Sequence, residues 1–176
     1  MERAKEEQIL EQIRHFSLPS YEEIPNVGLY LEQTAKYISE YVAELGDYAL
    51  TGSMISNYVK KGLVANPVKK QYDRNQIAYL MFIAVAKSVL SMEDIHLLFQ
   101  LQRDTYEPRK AYEYFRLELD NVLRHVFGLK PDLATVGKDK TDAKKMLRTT
   151  IIAMAHKVYL EKYFAAYHQE QGGQGM

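Results

Sequence analysis

Cysteine is absent from the 176 residues, and with it go disulfide frameworks, cysteine-ligated zinc and thiol catalysis. No apolar run approaches the roughly 18 residues of a membrane span. The opening stretch MERAKEEQILEQIRHF is charged and amphipathic and lacks the apolar core of a secretory signal. A cytoplasmic protein with no membrane partner is therefore expected. Nor is there an excess of charge of either sign, with 23 basic residues against 23 acidic ones. Hydrophobic residues at 47% and charged residues at 26% suit a globular chain, and the length suits one compact domain.

Catalytic signatures are missing as well. Glu93-x-x-His96 has the spacing of a helix-borne carboxylate–histidine metal pair, but a di-iron bundle needs that pair twice. The residues three before the other histidines are Gln12, Val122, Ala153 and Ala165, so the second copy is lacking. His-Glu-x-x-His, the phosphate-binding Gly-x-x-x-x-Gly-Lys-Ser/Thr loop and the Gly-x-Ser-x-Gly elbow do not occur. No enzyme activity, metal or cofactor is expected. His125 and His156 sit in otherwise apolar helical stretches and read as satisfied, half-core residues.

What is present is an uneven distribution of charge. Residues 1–50 carry ten acids against four bases, whereas residues 51–90 carry six bases and Asp73 alone. Between Thr51 and Tyr72 there is no acid at all. Screening limits each exposed charge to its near neighbours, so a polyanion would be drawn to that segment despite overall neutrality. A solvated basic face is the plain alternative.

Periodicity is helical nearly throughout. A first helix carries Ile9, Leu10, Ile13 and Phe16 and ends before Ser17-Leu18-Pro19. A second is predicted over 29–45, stopped by Gly46. Thr51 caps a short helix over about 51–61, closed by Gly62. Asp73 with Gln76 makes a capping-box pair for a helix to about 89, and Ser91 with Asp94 opens another to about 103. Longer helices follow over 107–127 and 141–168, and the tail 169–176 reads as disordered. Only 63–64 and 68–72 could form strands, as a small two-stranded hairpin. The fold is predicted to be all-α.

The informative stretch is residues 50–98. Its short helix presents Ser53, Ser56, Asn57, Lys60 and Lys61 as polar positions, with Met54, Ile55, Tyr58 and Val59 as candidates for burial. Small hydroxyl and amide side chains on an exposed helix can approach base edges in a major groove, and lysines can neutralise phosphates. A Pro67 turn bearing Lys69 and Lys70 follows, then Tyr72.

This layout resembles the winged helix-turn-helix of MerR-type transcription regulators, whose recognition helix ends Ile-Arg-Tyr-Tyr-Glu-x-x-Gly-Leu. Ile55, Tyr58, Gly62 and Leu63 match that signature, Ser56 stands where the family carries Arg, and Lys70-Gln71-Tyr72 stands at the wing's Arg-x-Tyr. The resemblance implies a recognition helix at about 51–61, a wing at about 64–72, and DNA-backbone contacts at Tyr58, Lys70 and Tyr72. Residues 15–165 as a whole look similar to the uncharacterised bacterial YkrK-like family, classed as domain of unknown function 1836. The shared features are Leu18-Pro19-Ser20-Tyr21-Glu22-Glu23-Ile24-Pro25, Met54 to Leu63, and Pro67 to Tyr72. That resemblance carries no established activity.

The expectation is a MerR-like winged helix-turn-helix (core 50–98) within an N-terminal portion spanning residues 1–105, flanked by N-terminal helices, with a C-terminal helical region 106–168. The function expected is DNA-binding transcription regulation through Ser53, Ser56, Asn57, Tyr58, Lys60, Lys61, Lys69, Lys70 and Tyr72. Double-stranded DNA is the expected partner, and a homodimer would supply specificity; no effector ligand can be named. The alternative is a helical protein–protein module that keeps the helix-turn-helix as a scaffold. Tyr58, Leu63 and Tyr72 also have a plain reading as core. Tyr159, Tyr163 and Tyr167, four apart, form one aromatic face that could pack on the domain, meet a second copy or line an effector pocket.

Overall fold

The computed structural model describes residues 1–173. Helix α1 (Arg3–His15) turns Ile9 and Ile13 inward, and Phe16 leaves it in extended backbone. A short 3-10 turn (Tyr21–Glu23), capped by the Ser20 hydroxyl, leads to strand β1 (Leu29–Tyr30) and helix α2 (Leu31–Val42). At its start the Gln33 side chain accepts the Tyr30 N–H at 3.0 Å. A 3-10 turn (Ala43–Leu45) finishes it before Gly46.

Helix α3 (Gly52–Lys60) follows, then strand β2 (Gln71–Tyr72). Beyond them come α4 (Arg74–Ala86), α5 (Met92–Thr105), α6 (Pro108–Val126) and α7 (Asp142–Gly173). The structure is all-α apart from one small antiparallel sheet, in which Leu29 pairs with Tyr72 and Tyr30 with Gln71.

That sheet differs from the expected hairpin. Leu63 and Val64 are buried in the core rather than paired, and the partner of 71–72 comes from before α2. The helix predicted from 29 therefore starts at Leu31, because Leu29 and Tyr30 are held in the sheet. Helix α7 runs on past 168 to Gly173; the end of the expected tail, 174–176, lies outside the described residues.

Helix α4 is buried almost all round, with Ile77, Leu80, Met81, Ile83 and Val85 at most 1% exposed. A helix that is apolar on every side belongs at the centre, and α4 packs against α2, α6 and α7. The apolar core around it is continuous from Ile9 on α1 to Ala166 on α7. Tyr159 and Tyr163 stack on each other at 4.4 Å and against Phe127, which makes them members of this packing. Tyr167 stays on the surface beside Leu160 and Phe164. His125 is half-buried with Nδ1 3.4 Å from the Lys130 carbonyl, but His156 is exposed, because its apolar neighbours turn to the opposite side of α7.

Candidate nucleic-acid interface

Helix α3 is set by local chemistry at both ends. The Thr51 hydroxyl accepts the Met54 N–H at 3.1 Å, meeting one of the unpaired donors of the first turn. At the other end Gly62 (φ 76°) reverses the chain; its N–H reaches the Val59 carbonyl and the Leu63 N–H reaches Tyr58. This is a Schellman stop, and the buried pair Tyr58 and Leu63 supplies its apolar contact.

The helix docks on α2 by two devices. The Ser39 hydroxyl accepts the Leu50 N–H and donates to the Leu50 carbonyl, both at 3.2 Å. Gly52 lets the chains approach closely, since a Cβ there would meet the Glu32 carboxylate and Leu31. Ile55 and Tyr58 then face inward at 0% and 6% exposure.

The opposite side of α3 is polar. Ser53, Ser56 and Lys60 are exposed or partly so and Asn57 half-exposed, and at 100° per residue the four fall within one stripe. Lys61 follows at the C-cap, where it shares an open depression with Glu93 and His96. Tyr58 and Tyr72, expected from the resemblance as backbone contacts, are core residues (6% and 4% exposed) and belong to the scaffold beneath the face. Burial pushes both phenols up from their ordinary pKa, so they stay neutral.

The turn between α3 and β2 is a two-residue hairpin. Val68 and Gln71 exchange both backbone hydrogen bonds, at 3.1 and 2.9 Å. Lys69 and Lys70 form its tip with φ of 51° and 64°. Two consecutive positive φ values mark the type I′ turn, which favours Asn-Gly because side chains crowd there. Two lysines hold it here, both exposed.

The base of the hairpin is fastened by Gln76, which sequence reasoning assigned only to the cap. Gln76 N–H donates to Asp73 at 2.8 Å and its Oε1 accepts the Asp73 N–H at 2.7 Å. Its amide nitrogen also donates to the carbonyls of Ala65 (2.9 Å) and Asn66 (3.1 Å). Only the pairing with Asp73 has a spacing that sequence can show.

Charge is sorted by the fold. Arg74 donates to the carbonyls of Ile24 and Glu22 and lies over the Tyr21 ring, so it is spent on the scaffold. Among the described residues Lys60, Lys61, Lys69 and Lys70 make no ion pair. Glu32, beside Gly52, puts a carboxylate at the N-terminal end of α3, where the helix dipole favours it. The open positive charge thus lies at the C-terminal end of α3 and on the hairpin tip. Among the described residues no group of three or more His, Asp or Glu is placed to hold a metal, and no helix is long and apolar enough to cross a membrane.

No curated protein and no solved structure matches the chain. A family model does, over residues 19–115, from just before the first 3-10 turn to Phe115 in the first half of α6. The chain therefore belongs to the family described as Domain of unknown function (DUF1836).

Proposed function

We propose that this protein is a DNA-binding transcription regulator of MerR-like winged helix-turn-helix type. In this reading α3 enters the major groove with Ser53, Ser56 and Asn57 towards base edges, and Lys60, Lys69 and Lys70 meet phosphates on either side. The observation that carries it is the hairpin tip. A left-handed lysine pair costs backbone energy that Asn-Gly would avoid, and such strain concentrates where a side chain has work outside the fold. The two tip lysines are exposed, as is the polar stripe of α3, and both belong to one acid-free stretch of chain.

One short helix reads few base pairs, so the reading calls for a homodimer on two half-sites about one DNA turn apart. The exposed stripe Leu160, Phe164 and Tyr167 on α7 is the surface a second copy would use.

The test is fluorescence anisotropy of a mixed-sequence duplex across a salt series, with the wild type and the Lys69→Ala/Lys70→Ala variant. Log affinity should fall linearly with log salt, and the double variant should flatten that slope by about one to two units. Absence of binding near 50 mM salt, a regime in which non-specific contact is strong, would sink the reading. The second reading, a protein-binding module, draws on Val68 and Tyr30, exposed at 73% and 53% and each paired with Gln71. It would take over in that event.

A further inference from the structure

An apolar cavity of about 60 Å³ lies between α4, α5, α6 and the start of α7, walled by Tyr79, Phe82, Phe99, Phe115 and Leu147. Its rim is chemically different. Tyr106, Tyr114 and Lys144 stand there, and all three converge on one carboxylate, that of Asp139 in the α6–α7 loop.

The Tyr106 hydroxyl donates to Asp139 and bonds to Thr141 Oγ1 at 2.7 Å. Tyr114 donates to Asp139 at 2.6 Å, and Lys144 Nζ lies 3.7 Å from the same oxygen. Lys110 and Lys144 both sit over the Tyr114 ring, at 5.6 and 5.0 Å, so a second cation is close by. Two phenols and an ammonium around one carboxylate make a complete monoanion site; the Tyr106 and Tyr114 hydroxyls hold Asp139 far below the ordinary carboxylate range, and the hydrogen bond to Asp139 pushes Tyr114 up to about 12. The anion is supplied by the chain itself.

The segment that supplies it is lightly held. Ala134 is anchored by Asn121 (2.8 Å) and Arg148 (3.3 Å) through its carbonyl. Between there and Thr141, the side-chain hydrogen bonds among the described residues are those to Asp139. Gly137 packs directly on the Lys144 and Tyr114 tips, where a Cβ would come within 2.9 Å of each. The cavity is also too small as it stands: an engineered apolar cavity that admits benzene has about 150 Å³. Tyr106, Tyr114 and Lys144 line the cavity, so an incoming carboxylate can take them only if Asp139 leaves.

We propose that this cavity and its rim form a binding site for a small monocarboxylate with an aromatic or short aliphatic body, and that Asp139 occupies the ligand's anion position when the site is empty. The body enters among Phe82, Phe99 and Phe115, and the carboxylate takes over Tyr106, Tyr114 and Lys144. The α6–α7 loop is then a displaceable latch. A monoanion fits better than a phosphate dianion, because the rim offers two neutral donors and a single directly placed ammonium. The site does not depend on whether the protein binds DNA.

The experiment titrates the full chain with phenylacetate, benzoate and hexanoate, each beside its neutral amide, and follows amide and methyl NMR signals. At least one acid should shift Gly137, Asp139 and the cavity methyls saturably, at least tenfold more tightly than its amide. Asp139→Ala, which removes the internal competitor, should tighten that acid about tenfold; Lys144→Gln should weaken it by a similar factor. The dispersed amide spectrum of each variant reports that it is folded. No saturable shift at the cavity with any acid in the wild type or in Asp139→Ala overturns the site. Equal binding of acid and amide overturns the anion position.

Discussion

Lys69 and Lys70 hold backbone angles that an ordinary L-residue enters only at about 1–2 kcal/mol each. Changing them to the residues this turn favours should therefore help folding and harm binding at once. Lys69→Asn/Lys70→Gly is expected to stabilise the protein by about 1 kcal/mol or more, a rise in melting temperature of roughly 2–4 °C per kcal/mol for a chain of this size. The same variant should lose duplex affinity and salt slope as the double alanine does. Calorimetry and anisotropy on one preparation check both, and an unchanged melting temperature would contradict the strain. Pro67 marks a lysine-bearing turn in the sequence, but no Asn or Gly marks its left-handed tip; the lysines were legible as charge and turn but not as this conformation. Arg74 shows the reverse failure. It counts as a free base in the sequence, and only the fold brings it to the Glu22 and Ile24 carbonyls about fifty residues away.

Elements whose ends are capped by near neighbours were the readable ones. Thr51, Gly62, Asp73 with Gln76, and Ser91 each act within a few residues, so α3, α4 and α5 begin or end close to where the sequence predicts. Strand β1 was not readable. Two residues carry no period, and their partners lie some forty positions on. Gln76 joins both kinds of order. Gln76→Leu would leave the Ala65 and Asn66 carbonyls and the Asp73 N–H without partners, a loss of about 2–3 kcal/mol. Urea unfolding should show that loss, and faster amide exchange at Val68 and Gln71 should show the hairpin loosened. Helix α3 offers an opposite test. Glu32→Gln removes the anion beside Gly52, which should cost about 0.3–1 kcal/mol of stability through the helix dipole. Duplex affinity should nevertheless rise, by up to about fivefold at low salt, as a repulsion of order 1 kcal/mol is removed. A fall in affinity would mean that Glu32 does not face the duplex.

The molecule as a whole folds around one core, and the family match stops within it. Cutting the chain after Phe115 would strip Leu119, Val122, Ile151, Met154 and Val158 from the core, all of them fully buried. Such a truncation is expected to be unfolded or aggregated, with circular dichroism and size-exclusion chromatography as the readouts; a folded monomer would mean that residues 19–115 form a core of their own. The whole-chain expectation of an all-α fold rested on periodicity and held for that reason. The carboxylate site around Asp139 could not be seen in the same way, since Tyr106 and Tyr114 reach it from 33 and 25 residues away with no shared spacing rule.

Helix α4 is gripped along its whole length, and its duties are divided by turn. Its first turn holds the hairpin through Gln76, and the turns after it face the cavity through Tyr79 and Phe82. Gln76 and Phe82 are six residues apart, about 9 Å along the axis. Close-packed interiors compress little. Mechanically, α4 is a short stiff rod that braces two things at once, the base of the hairpin at Gln76 and the cavity wall at Tyr79 and Phe82.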